Sequence, residues 1–164
     1  MQNINDSQDH EEIYNESQEF QEEMKTFLRE LGCEYVEGGA NSRFNIALPG
    51  QANQIDACGK FGKYLILVEC KAAKRRFDKP TDLREKILKW FGKIQLAKEA
   101  YKQIREYAEC EEVIPIFATK KYRLTYDNIQ LLKNGKDGIR SYYVDEQFID
   151  YYSDLIDKIG RYAA

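Results

Sequence analysis

The sequence predicts an α/β fold of three layers, a central mixed β-sheet with helices on both faces. Three observations carry that expectation. Tyr64-Leu65-Ile66-Leu67-Val68 is an apolar run of strand length, hydrophobic on both faces, as a strand covered above and below must be. A second run of the same kind lies at 113–118. Around them stand two helical patterns with continuous apolar stripes, at 16–31 and 82–108. The expected core order is α-β-β-β-α-β, followed by an α-β-α extension.

In chain order, residues 1–14 (MQNINDSQDHEEIY) are polar and lack apolar periodicity. They read as a flexible acidic tail, with an extension of the first helix as the other reading; residues 15–164 read as one domain. In the helix at 16–31, Phe20, Met24, Phe27, Leu28 and Leu31 make one stripe, and Gly32 stops it. A strand at 33–36 leads to the turn-rich Gly38-Gly39-Ala40-Asn41-Ser42, and 43–48 reads as another strand before Pro49-Gly50. Asn41, Ser42 and Arg43 either touch substrate or only build this hairpin. Strands at 53–58 and 63–72 form a second hairpin.

The loop at 72–80 carries Lys74, Arg75, Arg76 and Lys79 around Phe77. Bases beside an aromatic ring suit single-stranded or distorted nucleic acid, although charge runs are also ordinary solvated surface. The helix expected at 82–108 contains Gly92, where it would bend. The strand at 113–118 ends in a second basic, aromatic cluster, Thr119-Lys120-Lys121-Tyr122-Arg123. A short helix at 126–133 closes on Asn134-Gly135, and a strand follows at 139–144. The last helix begins near Asp145, runs through Phe148, Tyr151, Leu155 and Ile159 to Tyr162, and is amphipathic to its end. That pattern predicts a longer natural polypeptide, with a further domain beyond Ala164.

Composition bounds the function. In 164 residues, 43% hydrophobic and 32% charged content fit one globular domain. No apolar run approaches membrane-spanning length and the acidic N-terminus is no signal peptide, so no membrane partner is expected. Four cysteines without a C-x-x-C pair suggest a reduced, cytoplasmic protein. The single histidine, His10, lies in the tail, which removes zinc sites and serine–histidine triads. Any catalysis must then fall to carboxylates and lysines. Charge is uneven: residues 1–31 hold nine acids against Lys25 and Arg29, whereas residues 71–105 hold twelve bases against four acids. A net charge of −3 therefore hides a basic segment able to meet phosphates.

That segment begins at the end of the 63–72 strand, in Glu69-Cys70-Lys71. Strand side chains alternate, so Glu69 and Lys71 share one face, about 7 Å apart at the backbone. Asp56 joins them if the hairpin parity is right. A two-residue loop at Phe61-Gly62 would set Asp56 opposite Leu67, on the face of Glu69, and a four-residue loop keeps that parity. A three-residue loop without a bulge would send it to the other face. Two carboxylates converging on one point make the oxygen-only site that Mg²⁺ uses together with substrate phosphates. A lysine beside them can orient the attacking water.

An Asp, about a dozen residues, then Glu-x-Lys closing an apolar strand resembles the PD-(D/E)xK nuclease superfamily, nearest in look to archaeal Holliday-junction resolvases and methyl-directed restriction enzymes. The likeness spans roughly residues 18–120 and departs in having Ile55, not Pro, before Asp56. It implies a restriction endonuclease-like fold and a Mg²⁺-dependent nuclease, with Mn²⁺ as substitute, that cuts DNA to 5′-phosphate and 3′-hydroxyl ends. RNA and a homodimer remain open as partners. Asp56, Glu69 and the Cys70 carbonyl would hold metal, and Lys71 would position water. Lys74, Arg75, Arg76, Lys93 and Lys120 would contact nucleic acid. Related nucleases place a Glu on the first helix where this chain has Gln21, which is either a helper of the site or an ordinary surface residue. The missing carboxylate supports the other functional reading, a nuclease-fold domain that binds nucleic acid or assembles without full activity.

Overall fold

The structure, a computed structural model, describes residues 4–48 and 54–146, residues 4–15 by their backbone alone. Helix α1 runs Ile4–Leu31, so residues 4–14 continue the first helix instead of forming a tail. Glu and Gln are good helix formers, and the acids of this stretch lie toward the positive end of the helix dipole. Further along, Phe20, Met24 and Leu28 are fully buried while Phe27 and Leu31 pack at the margin. Gly32 ends α1 at a φ of 98°, which a side chain would strain.

After β1 (Glu34–Glu37), the segment expected as a strand at 43–48 is instead helix α2 (Arg43–Ala47). The cause is local. The Ser42 side chain accepts a hydrogen bond from the Asn45 N–H, capping a turn that buries Phe44. Arg43 is committed to Glu37 at 2.7 Å and Glu106 at 3.2 Å, so Ser42 and Arg43 hold the fold together here.

Strands β2 (Ala57–Phe61), β3 (Tyr64–Ala72), β4 (Glu112–Lys120) and β5 (Tyr142–Val144) complete a five-stranded sheet in the order β1-β2-β3-β4-β5. The first three strands are antiparallel to their neighbours, and β3, β4 and β5 run parallel. Alternation divides the core in two. Ile66, Val68 and Cys70 join Phe20, Met24 and Leu28 of α1 on one face. Leu65 and Leu67 meet Ile87, Trp90 and Ile94 of α3 (Arg84–Ala100) on the other, where α2 and α4 (Tyr126–Asn134) also contribute. The result is three layers, helix on mixed sheet on helices.

Helix α3 continues through Gly92 but stops at Ala100, short of the expected 108. Beyond it, a 3₁₀ turn at Tyr101–Gln103 starts a chain of bonds between residues three apart, Ile104 to Tyr101, Tyr107 to Ile104 and Cys110 to Tyr107. Those four side chains are all buried, so the apolar spacing there is three and not 3.6. The expected α4 is present, capped by Thr125 and closed at Gly135, while the strand after it is shorter than 139–144. The helix expected onward from Asp145 lies, from residue 147, outside the described residues. Among the described residues no helix is long and apolar enough to cross a membrane. All four cysteines are free thiols.

Candidate active site

The hairpin turns at Gly62-Lys63, pairing Phe61 with Tyr64 and Ala57 with Val68. This is a two-residue loop one position later than Phe61-Gly62, and it keeps the required parity. Continuing the register by one residue sets Asp56 opposite Glu69. Both lie toward the carboxyl end of β3, where the sheet changes from antiparallel to parallel pairing.

Asp56 is fixed from two sides. Its Oδ2 accepts the Cys70 N–H at 2.9 Å, and its Oδ1 accepts the Gln21 side-chain amide from α1 in a longer bond of 3.3 Å. Glu69 is only 3% exposed and accepts a 2.9 Å hydrogen bond from the Lys93 ammonium of α3. Lys93 also donates to the Gln54 carbonyl at 3.1 Å. Two facing carboxylates in a desolvated place cannot both ionise freely. Burial and the Glu69 charge raise Asp56 well above the usual carboxylate range. Burial also pushes Glu69 up, but the Asp56 hydrogen bond and the ammonium groups of Lys93 and Lys71 outweigh it and hold Glu69 low. Of the two acids, Asp56 thus holds a proton more readily than Glu69. Burial, then the two carboxylates, push the Cys70 thiol far up, so it is no nucleophile.

The arrangement suits a divalent cation. Asp56 remains partly exposed, which leaves the pair an opening, and the two carboxylates offer oxygen ligands there. A doubly charged ion would cancel their repulsion. Among the described residues no three or more His, Cys, Asp or Glu side chains cluster as a metal cage, so water and substrate oxygens would have to complete the coordination. Lys71, on the Glu69 face of β3, is half-buried beside them.

The other sequence-predicted residues divide. Gln21 does reach the site. Lys93 is drawn into it, in contrast to its expected role as an outlying phosphate contact. The signal was legible: Lys93 sits between Trp90, Ile94 and Ala97 on the buried stripe of α3, and a cation there needs a buried counter-ion. Lys74, Arg75 and Arg76 follow β3 at the same end of the sheet; Arg75 is exposed and Arg76 pairs with Glu146 at 2.6 Å. Lys120 lies with the α1 face, at 2.9 Å from Glu23, away from the carboxylate pair. One residue had no chemical signal at all. A Cβ on Gly38 would stand 2.0 Å from the Asp56 carbonyl oxygen, and the neighbouring Gly39 N–H bonds the Ile55 carbonyl at 3.1 Å. The Gly38-Gly39 turn therefore backs the segment that presents Asp56.

A cavity of about 540 Å³ opens at the other end of the sheet among Lys98, Tyr101, Pro115, Arg140, Ser141 and Tyr142. Its lining carboxylates, Glu111 and Glu112, stand among Lys98, Lys133 and Arg140. Comparison with models of protein families, with curated proteins and with solved structures finds no match to this chain.

Proposed function

We propose that this chain is a metal-dependent nuclease that hydrolyses DNA phosphodiester bonds, on a restriction endonuclease-like version of the three-layer fold. One observation carries the reading: Asp56 and Glu69 face each other at the end of β2 and β3, with Lys71 two residues further on the same face. Asp56, Glu69 and the Cys70 carbonyl would hold Mg²⁺, or Mn²⁺ in its place. The ion's contribution is Lewis acidity at the phosphate and a template for water. The chain does the rest. Lys71 positions the water and offsets charge that grows on the phosphate. Lys93 keeps Glu69 ionised, Gln21 and the Cys70 N–H orient Asp56, and the bases after β3 seat the phosphate backbone.

A second reading draws on Gln21. An amide stands against Asp56 where related nucleases have a third carboxylate, which fits a domain that binds nucleic acid with little or no cleavage. A panel of single-stranded, duplex and branched DNA, with RNA as a further arm, separates the two in Mg²⁺, Mn²⁺ or chelator. The nuclease reading expects metal-dependent products with 5′-phosphate ends. It also expects Lys71→Ala to bind metal calorimetrically as the parent does while losing cleavage. Tight nucleic-acid binding without products in either metal favours the second reading.

A further inference from the structure

We propose that Phe77 and Tyr122 form a stacking platform for an unpaired nucleobase, so that the substrate is DNA with a single-stranded stretch beside the cleavage point. The inference rests on the reading above, that the chain handles nucleic acid.

The two loops that leave β3 and β4 emerge side by side, because Ala72 pairs with Lys120. They are stitched together along their length. Ala73 N–H bonds the Lys120 carbonyl at 3.0 Å, Phe77 N–H the Lys121 carbonyl at 3.1 Å, and Thr81 N–H the Arg123 carbonyl at 2.6 Å. The Lys121 ammonium reaches the Lys74 carbonyl at 3.1 Å, and Thr81 bridges to Leu124. Lys121 itself holds a φ of 68°, a left-handed conformation that a non-glycine residue seldom adopts. These bonds fix the two rings in place before any ligand arrives.

The rings lie 5.3 Å apart between centroids and 9° from parallel. Tyr122 is half-buried and covers one face of Phe77, yet Phe77 stays 44% exposed. An aromatic ring stacked on one side and open on the other offers the surface that a nucleobase needs. Bases inside a duplex already have both faces occupied, so only an unpaired base can use it. Arg75, Arg76, Lys79 and Arg123 are exposed on the same two loops, against two exposed acids, Asp78 and Asp82. That balance suits a phosphate backbone threading past the ring. Phe77 lies on the loop that leaves β3 just after Lys71, at the same end of the sheet as Glu69.

The test is binding in chelator, where nothing is cut. A labelled single strand, the same sequence as a blunt duplex, and a duplex with a single-stranded overhang are titrated with the parent, Phe77→Leu and Phe77→Trp. Leu keeps the apolar contact with Tyr122 but removes the π-face. It is expected to weaken single-strand and overhang binding about five- to a hundredfold and leave the blunt duplex unchanged. Trp restores the single-strand affinity, and its emission is quenched as the base stacks. Equal losses on all three ligands, or no loss, overturn the inference while leaving the nuclease reading intact. A parent that binds no DNA overturns both. Selective loss in a chain that never cleaves supports the platform and sinks only the hydrolytic reading.

Discussion

Asp56 and Glu69 face each other in a desolvated place, and the cost of ionising both has consequences for stability. Burial raises Asp56, so the folded chain binds its proton more tightly than the unfolded chain. The stability it confers is present below the ordinary carboxylate value and is lost as pH rises through the raised one. Asp56→Asn, neutral at every pH, should therefore melt above the parent at neutral pH, with the gap closing toward about pH 4. Melting temperatures across that range check it, and a parent that melts higher at neutral pH contradicts it. Lys93 works in the opposite sense. Lys93→Met leaves Glu69 buried without its cation and should cost about 3 kcal/mol in urea unfolding, part of it regained in Mn²⁺. A loss under about 1 kcal/mol would mean that the pair is not desolvated. Glu69 and Lys71 were legible because strand parity alone puts them on one face, and Asp56 joined them on condition of a loop of even length, which the Gly62-Lys63 turn meets. The role of Lys93 was legible only in part: its place on the buried stripe of α3 calls for a counter-ion, but which one depends on where α3 crosses the sheet, and no local pattern records that crossing.

The hairpin and helix patterns show where sequence reasoning holds for elements and where it fails. The strand at 63–72 was legible because a run that is apolar on both faces admits few readings. The 43–48 segment was not, because one side-chain cap at Ser42 tips a short, ambiguous run into α2. The end of α3 was missed for a different reason, since spacings of three and 3.6 differ little over two turns. Gly38 belongs to this scale too, as the contact between the β1–α2 turn and the segment before β2. Gly38→Ala must push the Asp56 backbone away, so cleavage should fall at least about tenfold, with clear destabilisation. Gly39→Ala, with open space around its Cβ but a φ of 81°, should cost about 1 kcal/mol of strain and spare the site. Urea unfolding and cleavage rates on the two variants test the contrast, and similar activity losses in both would refute it.

Across the whole molecule, acidic α1 leans on the basic strand ends, through Glu23 to Lys120 and Glu16 to Lys121. The uneven charge seen in the sequence is thus partly matched inside the fold, which composition alone could not reveal. Lys74, Arg75 and Arg76 follow β3 at the same end of the sheet, with Arg76 paired to Glu146. Neutralising all three should weaken DNA binding without changing sequence preference. The salt slope should flatten, by less than the roughly three units that three fully free charges would give. An unchanged slope would remove this segment from the interface. The three-layer architecture, the hairpin and the bases at its end all converge on Asp56, so the decisive measurement is the cleavage rate of Asp56→Ala in Mg²⁺ beside the parent. The account predicts metal-dependent cleavage by the parent and at least a hundredfold loss in a variant that still folds. An Asp56→Ala chain that cuts DNA as fast as the parent would contradict it.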